Sequence, residues 1–422
     1  MTLKKNISYS FLQSATIAAG ILLQNLIAAW YLSPSEFGVW ATLMLLYRLC
    51  TPIVEGGWSR AMISQKSLAK HQLQTLFTYN IGLSFLVILI LCLSAKKMAN
   101  LFNINELAEY IYVISVIFIP IGLGAISRTL LQKNLNFKRL AEAQILSSIL
   151  EFFLFLVLLH FGFKVWALVL PFVVKMFLLN LIYWFSEKVE IEFKNDFSSV
   201  KTLLKFGNYD LGAQLLNYFY SNLDNLFIAH FLGQAALGLY SLAWDLTVKP
   251  VSVINPIISR VYFPLMTKTD DITPIYRKGM TILMAIQMPI YAILAAAIFP
   301  IILYLYGAQW TAASVAAQWL CGVALLRALS ELGASVLVAR GRVAVEFYFQ
   351  IFNTIVTLSS LCMIFYIGKN IENVAIAMFF AHVIIIVFWH LAIWKIGKVA
   401  YRDILIRFLA ILLLLGGVGG LI

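Results

Sequence analysis

Long apolar runs without charge recur through this 422-residue chain, separated by short polar breaks, and many reach the length of about 20 residues that a helix needs to cross the hydrocarbon layer of a bilayer. Hydrophobic residues make up 62% of the chain and charged residues 12%, where soluble domains hold roughly 45–50% and about 25%. One soluble core cannot bury that much apolar surface, so the chain reads as an all-α polytopic membrane protein. Soluble enzymes, secreted disulfide scaffolds and disordered chains are excluded together.

The runs predict spans over 7–31, 37–57, 76–95, 108–131, 142–161 and 165–185, then over 208–232, 237–258, 279–305, 311–338, 344–367 and 372–394. Twelve spans put both ends of this region on one side of the membrane. The first follows Lys4 and Lys5, lacks the short apolar core and cleavage site of a signal peptide, and reads as a retained span. The apolar tail 404–422 is long enough for a thirteenth span but has no polar anchor after it.

The formal net charge of +12 lies in short loops rather than on one face, which speaks against a nucleic-acid partner. Loops on the side of Lys4 and Lys5 carry most of the basic residues, from Arg60, Lys66 and Lys70 to Lys395, Lys398, Arg402 and Arg407, whereas the opposite loops hold only Lys96, Lys97, Lys164 and Lys369. Because cytoplasmic loops hold the excess of Lys and Arg, the N-terminus is expected in the cytoplasm. Cys50, Cys92, Cys321 and Cys362 fall in apolar runs without CxxC or Cys/His spacing, so neither disulfides nor metal sites are expected. His160, His230, His382 and His390 have no metal-pair spacing either, and Trp30, Trp166, Trp184, Trp310 and Trp394 lie near predicted span ends, where interfacial belts form. No cofactor motif, nucleotide loop or nucleophile elbow occurs, so no enzymatic activity is expected.

Spans one and seven align without gaps at an offset of 200: NLIAAWYLSPSEFGVW from Asn25 over NLFIAHFLGQAALGLY from Asn225, with Asn25/Asn225 and Gly38/Gly238 the most telling identities. Two six-helix lobes are therefore expected, over 1–185 and 208–394, joined by a cytoplasmic linker over 186–207 and followed by a segment over 395–422. KTLLKFG in the linker reads as a short surface helix. Lobes that each start in the cytoplasm share one orientation, which implies a pseudo-two-fold axis along the membrane normal and a cavity between them.

Ionisable groups at bilayer depth cost at least about 2.5–3.5 kcal/mol, so each needs a partner, water or a function. Span two holds Arg48 and Glu55, seven apart on one face, with Pro52 between them. Span eight holds Asp245 and Lys249 before Pro250, span ten Arg327 and Glu331, and span six Lys175 four residues after Pro171. Prolines beside these charges free backbone groups that usually line a cavity, so Arg48, Lys249, Arg327 and Lys175 are the expected anion ligands. Interhelical acid/base ties are the competing reading. Asp210, Gln214, Asn217, Ser221 and Asp224 form one face of span seven, and Asp210, Asn217, Asp224, Asp245, Glu55 and Glu331 are candidates for lining the cavity or coupling an ion.

The stretches SPSEFGVWATL, GLGAISRTLLQKNLNFKRLAEAQ and FGNYDLGAQLLNYFYSNLDNLFIAHFLGQAALGLYSLAWDL resemble the polysaccharide-transporter (Wzx-type) flippases of the multidrug/oligosaccharidyl-lipid/polysaccharide superfamily, most of all the colanic-acid and teichuronic-acid type exporters. The resemblance runs through nearly the whole chain. It implies an inner-membrane protein of twelve to fourteen helices that moves an undecaprenyl-pyrophosphate-linked oligosaccharide between leaflets by alternating access, for lipopolysaccharide, O-antigen or exopolysaccharide assembly. It also implies membrane lipids and a polysaccharide polymerase as partners, and a cationic cavity that Arg48, Lys249 and Arg327 fit. The longer members end in a further helical hairpin, from which the tail here departs. A cation-coupled small-molecule antiporter using Asp210, Asp224 or Glu55, and a membrane polymerase or ligase, are the rival readings.

Overall fold

The computed structural model describes residues 20–65, 68–187, 196–251, 271–339 and 343–395, together with Asn255, Tyr262, Met266 and Thr269. Lys4 and Lys5, most of the loop 259–270, the centre of the linker, the tail 404–422 and the side chain of Glu331 lie outside the described residues. Within them every regular element is helical. The helices are α1 (Gly20–Tyr31), α2 (Pro34–Glu55), α3 (Ser59–Ser64), α4 (Lys70–Phe102), α5 (Leu107–Ser115), α6 (Phe118–Lys133), α7 (Phe137–His160), α8 (Trp166–Ser186), α9 (Phe197–Phe231) and α10 (Gln234–Thr247). They continue with α11 (Thr273–Ile301), α12 (Ser314–Ala339), α13 (Val343–Phe365) and α14 (Ile371–Lys395).

Among the described residues eight stretches of helix are long and apolar enough to cross a membrane, and Gly20–Tyr31 and Tyr348–Ile364 are shorter apolar helices. Their outward faces carry unbroken apolar surface, such as Phe85, Leu89 and Leu93 on α4 and Ile286, Ile290 and Ile293 on α11. Lipid accepts such faces where water would not. The chain is a multi-pass membrane protein. α9 falls outside the apolar set, since Asp210, Gln214, Asn217, Ser221 and Asp224 lie along it, and α10 is only 14 residues long. The expected surface helix KTLLKFG is no separate element, because α9 runs on through it without a break. Asp196 caps that helix, accepting from Ser198 Oγ at 2.6 Å and from the Ser199 amide at 3.2 Å. The Ser198 hydroxyl first, and then the Ser199 amide, hold its carboxyl below the usual range.

The chain divides into two compact units, Met1–Tyr218 and Phe219–Ile422, with the boundary inside α9. In the first, α6 packs against α2, α3, α4, α7 and α8. Small residues permit this: a Cβ on Gly124 would lie 2.9 Å from the Asn180 carbonyl oxygen, and one on Gly122 would strike Ser84 Oγ. Gly56 and Gly57, at φ 74° and 68°, break the helix between α2 and α3. The break lets Gly57 lie directly on Gly207 of α9, beside an apolar cluster of Trp58, Met62, Phe77, Ile126, Val200 and Leu203.

In the second unit α12 is the hub, against α10, α11, α13 and α14. Its fully buried Ala316, Ala317, Ala324 and Ala328 allow close approach. Trp310 is also fully buried, in the short 3₁₀ turn Ala308–Ala313, so it belongs to this core and not to an interfacial belt; Trp30 is exposed. The offset of 200 reaches the backbone, since α1 and α9 end at Tyr31 and Phe231, and α2 and α10 begin at Pro34 and Gln234. Asn25 and Asn225 are both buried, as are Gly38 and Gly238.

Gly57→Ala should lower the melting temperature of the detergent-solubilised protein, because the added Cβ meets the Gly207 carbonyl at a φ that L-residues avoid. Gly82→Ala, with nothing within 4 Å of the new carbon, should be neutral or stabilise by up to about 1 kcal/mol. Equal melting temperatures for Gly57→Ala and wild type would contradict the close contact of Gly57 with Gly207 of α9.

Candidate functional site

The charges at membrane depth are compensated in different ways. In the first unit Glu55, at the end of α2, accepts from Arg128 of α6 at 2.7 Å. Its partner is therefore Arg128 and not Arg48, which shares its face. Arg48 is exposed on α2 and makes no ion pair among the described residues. One turn before it, the Leu45 carbonyl accepts from Tyr218 Oη of α9 at 2.8 Å, which places α9 beside this arginine. Asp210 pairs with Arg60 of α3 at 2.7 Å and accepts from Gln214 at 2.9 Å. Asn217, on the same face of α9, is exposed.

Lys175 of α8, which looks isolated in sequence, pairs with Glu151 of α7, and the two side chains are only 12% and 8% exposed. Gln144 and Ser147 continue the buried polar side of α7. At the other end of this unit Lys164 pairs with Glu36 at 3.0 Å, and that carboxylate pushes the ammonium up from its ordinary value. The pairing puts the 161–165 loop level with the start of α2.

In the second unit Lys249 pairs with Asp245 one turn earlier at 2.6 Å, both partly exposed. Asp224 of α9 is fully buried and accepts from Tyr240 Oη of α10 at 2.8 Å, from the Asn225 amide at 2.9 Å and from Asn225 Nδ2 at 3.2 Å. Arg327 of α12 makes no ion pair among the described residues; its guanidinium carbon lies 5.9 Å from the Tyr220 ring centre and 5.4 Å from that of Trp244. Each such contact is worth about 0.5–1 kcal/mol when exposed and about 2 or more when desolvated, against a burial cost of at least about 2.5–3.5 kcal/mol. Two rings thus offset much of the cost of holding this cation without neutralising it.

The offset of 200 carries an instructive difference. Counted on at the same offset, position 55 falls on Asn255 and position 128 on Ala328, next to Arg327. Asn255 is buried, donates to the Ala328 carbonyl at 3.1 Å and accepts from Gln287 at 2.8 Å. A neutral amide therefore stands where the first unit has the carboxylate that captures an arginine. His382 and His390 are buried in α14, each with Nδ1 2.8 Å from the carbonyl four residues earlier, and no group of three metal-ligating side chains gathers among the described residues.

Sequence reasoning missed Arg128, Arg60 and Glu151 as partners, and Tyr220, Tyr240 and Trp244 around Arg327. The signal for the last three is the spacing of four that pairs Tyr220 with Asp224 and Tyr240 with Trp244, one turn apart on each helix.

Arg60→Ala should change stability by less than about 1 kcal/mol, because its side chain is 71% exposed. Glu151→Leu, which strands a buried ammonium, should cost about 3–5 kcal/mol, and Glu151→Leu with Lys175→Met should recover most of it. Denaturation of the purified variants checks the order, and a double variant as unstable as the single one would refute the α7–α8 tie.

A model of polysaccharide biosynthesis proteins matches residues 27–315. The chain is 29% identical over 304 residues to the teichuronic acid biosynthesis protein TuaB of Bacillus subtilis (strain 168), covering 71% of this chain and 63% of that protein. It is 28% identical over 341 residues to the lipopolysaccharide biosynthesis protein WzxC of Escherichia coli (strain K12), covering 79% and 69%. The chain thus matches less than two thirds of the Bacillus protein's length. Among solved structures it is similar to the lipid II flippase MurJ in an inward closed conformation, at a TM-score of 0.79 and 15% identity over 96% of this chain and 91% of that one. An inward-facing multidrug resistance transporter of the MATE family and MOP superfamily matches at a TM-score of 0.70 and 15% identity, over 90% and 96%. These structural likenesses place the fold in that two-lobed helical class, and the match over residues 27–315 settles the kinship: the chain belongs to the family of polysaccharide biosynthesis proteins.

Proposed function

We propose that this chain is a flippase and not an enzyme: it carries a polyprenyl-pyrophosphate-linked oligosaccharide, undecaprenol being the expected lipid, across the bacterial inner membrane by alternating access. The observation that carries the reading is Arg327, held at membrane depth against two aromatic rings and without an ion-pair partner among the described residues. Guanidinium suits a diphosphate because paired N–H donors match two phosphate oxygens. Arg48 supplies a second cation of this kind in the other unit, and Lys249 a third that must leave Asp245 to bind. Lys175, already matched by Glu151, contributes to helix packing first. In this reading the N-terminus faces the cytoplasm, as the excess of Lys and Arg in the loops on its side supports, and a polysaccharide polymerase would receive the product.

Outward movement of about two negative charges from an inside-negative cytoplasm is favoured by roughly 4–5 kcal/mol at 100 mV, so the membrane potential suffices without ATP. A second reading, cation-coupled export of small molecules, draws on the buried carboxylate of Asp224. The cationic groups weigh against it.

Arg48→Ala, Lys249→Ala and Arg327→Ala, expressed at wild-type level in a strain lacking the chromosomal copy, should accumulate lipid-linked oligosaccharide that a membrane-impermeant glycosidase cannot reach, with loss of surface polymer. Accumulation of an accessible, unpolymerised intermediate would point to an enzyme. Drug sensitivity dependent on Asp224, with unchanged polymer, would establish the antiporter.

A further inference from the structure

We propose that Tyr220 and Trp244 are positioning residues for Arg327, and that together they set which edge of its guanidinium meets a diphosphate; the inference rests on the flippase reading above. A guanidinium is planar, and all five of its N–H donors lie in its plane, so a ring packed over a face takes no donor away. A carboxylate partner would take up donors of that edge, as Glu55 accepts from Arg128 Nη2 in the first unit. Around Arg327 the contacts are Tyr220 from α9, at 5.9 Å, and Trp244 from α10, at 5.4 Å. The cation is held and its donors are kept for a ligand.

The two rings are themselves fixed in relation to each other. Tyr220 and Asp224 lie one turn apart on α9, and Tyr240 and Trp244 one turn apart on α10, with the Tyr240 and Trp244 rings 6.1 Å apart at 32°. The hydrogen bond from Tyr240 Oη to Asp224 Oδ2, 2.8 Å long and fully buried, joins the two helices one turn from each ring. It sets the spacing into which Arg327 enters from α12. At the repeat position of Glu55 stands Asn255, which bonds the backbone of Ala328 and offers the neighbouring arginine no charge. Asp224 spends its oxygens on Tyr240 and Asn225 and makes no ion pair with Arg327 among the described residues.

The test is binding of inorganic pyrophosphate to the full chain in detergent, by calorimetry, alongside the surface-polymer assay. Trp244→Leu and Tyr220→Leu should each raise the dissociation constant about tenfold, equivalent to about 1.4 kcal/mol. Trp244→Phe, which keeps an aromatic face, should stay within about twofold of wild type. The decisive arm is a cycle with Arg327→Ala: if Trp244 acts through the arginine, Trp244→Leu adds no further loss in that background, whereas a packing role gives additive losses. Additive losses, or Trp244→Phe as poor as Trp244→Leu, would overturn the proposal. Should Trp244→Leu fail to fold, Tyr220→Leu and the Phe variant carry the same cycle. Arg327→Ala without effect on pyrophosphate or polymer, or a wild type that does not bind pyrophosphate, would remove the flippase site itself. Loss with Arg327→Ala but none with either aromatic variant would remove only the positioning role.

Discussion

A charge at the depth of hydrocarbon must be compensated by the protein, because no water is there to do it. Much of this structure follows from how the chain meets that demand. Lys175 and Glu151 neutralise each other between α7 and α8, and Arg128 and Glu55 do so between α6 and α2. Asp224 is served by hydroxyl and amide donors, and Arg327 by ring faces. The first solution consumes a charge, and the last preserves it.

These arrangements depend on helices that come close. α6 and α12 are the hubs of their units, and both are lined with small residues, glycine in one and alanine in the other. Each hub carries an arginine at nearly the same place in the repeat, Arg128 and Arg327. One of the two is tied to a carboxylate, and the other packs against two aromatic rings. Glu55 holds Arg128 by charge, whereas the Asn255 amide anchors the hub backbone at Ala328 and cannot hold a guanidinium in that way.

Close packing also explains the break between α2 and α3. Gly56 and Gly57 turn the chain so that Trp58 enters the core beside Phe77 and Ile126, while Arg60 reaches Asp210. Charge pairing there is exposed and weak, so the backbone contact of Gly57 with Gly207 does more to hold α9 in place.

The all-helical membrane class and the repeat at an offset of 200 were determined by the sequence, because hydropathy and the length of apolar runs act locally along the chain and need no partner. The charged residues worth attention were legible for the same reason, as outliers in apolar runs. Their roles were not. Lys175 reads as lone because Glu151 lies 24 residues away, and Glu55 seems matched to Arg48 because both share one helix face, until helix rotation brings Arg128 to it. Trp244 looks like one more apolar residue. Only tertiary structure decided these pairings, since helix rotation and register are fixed by side-chain packing between helices far apart in sequence.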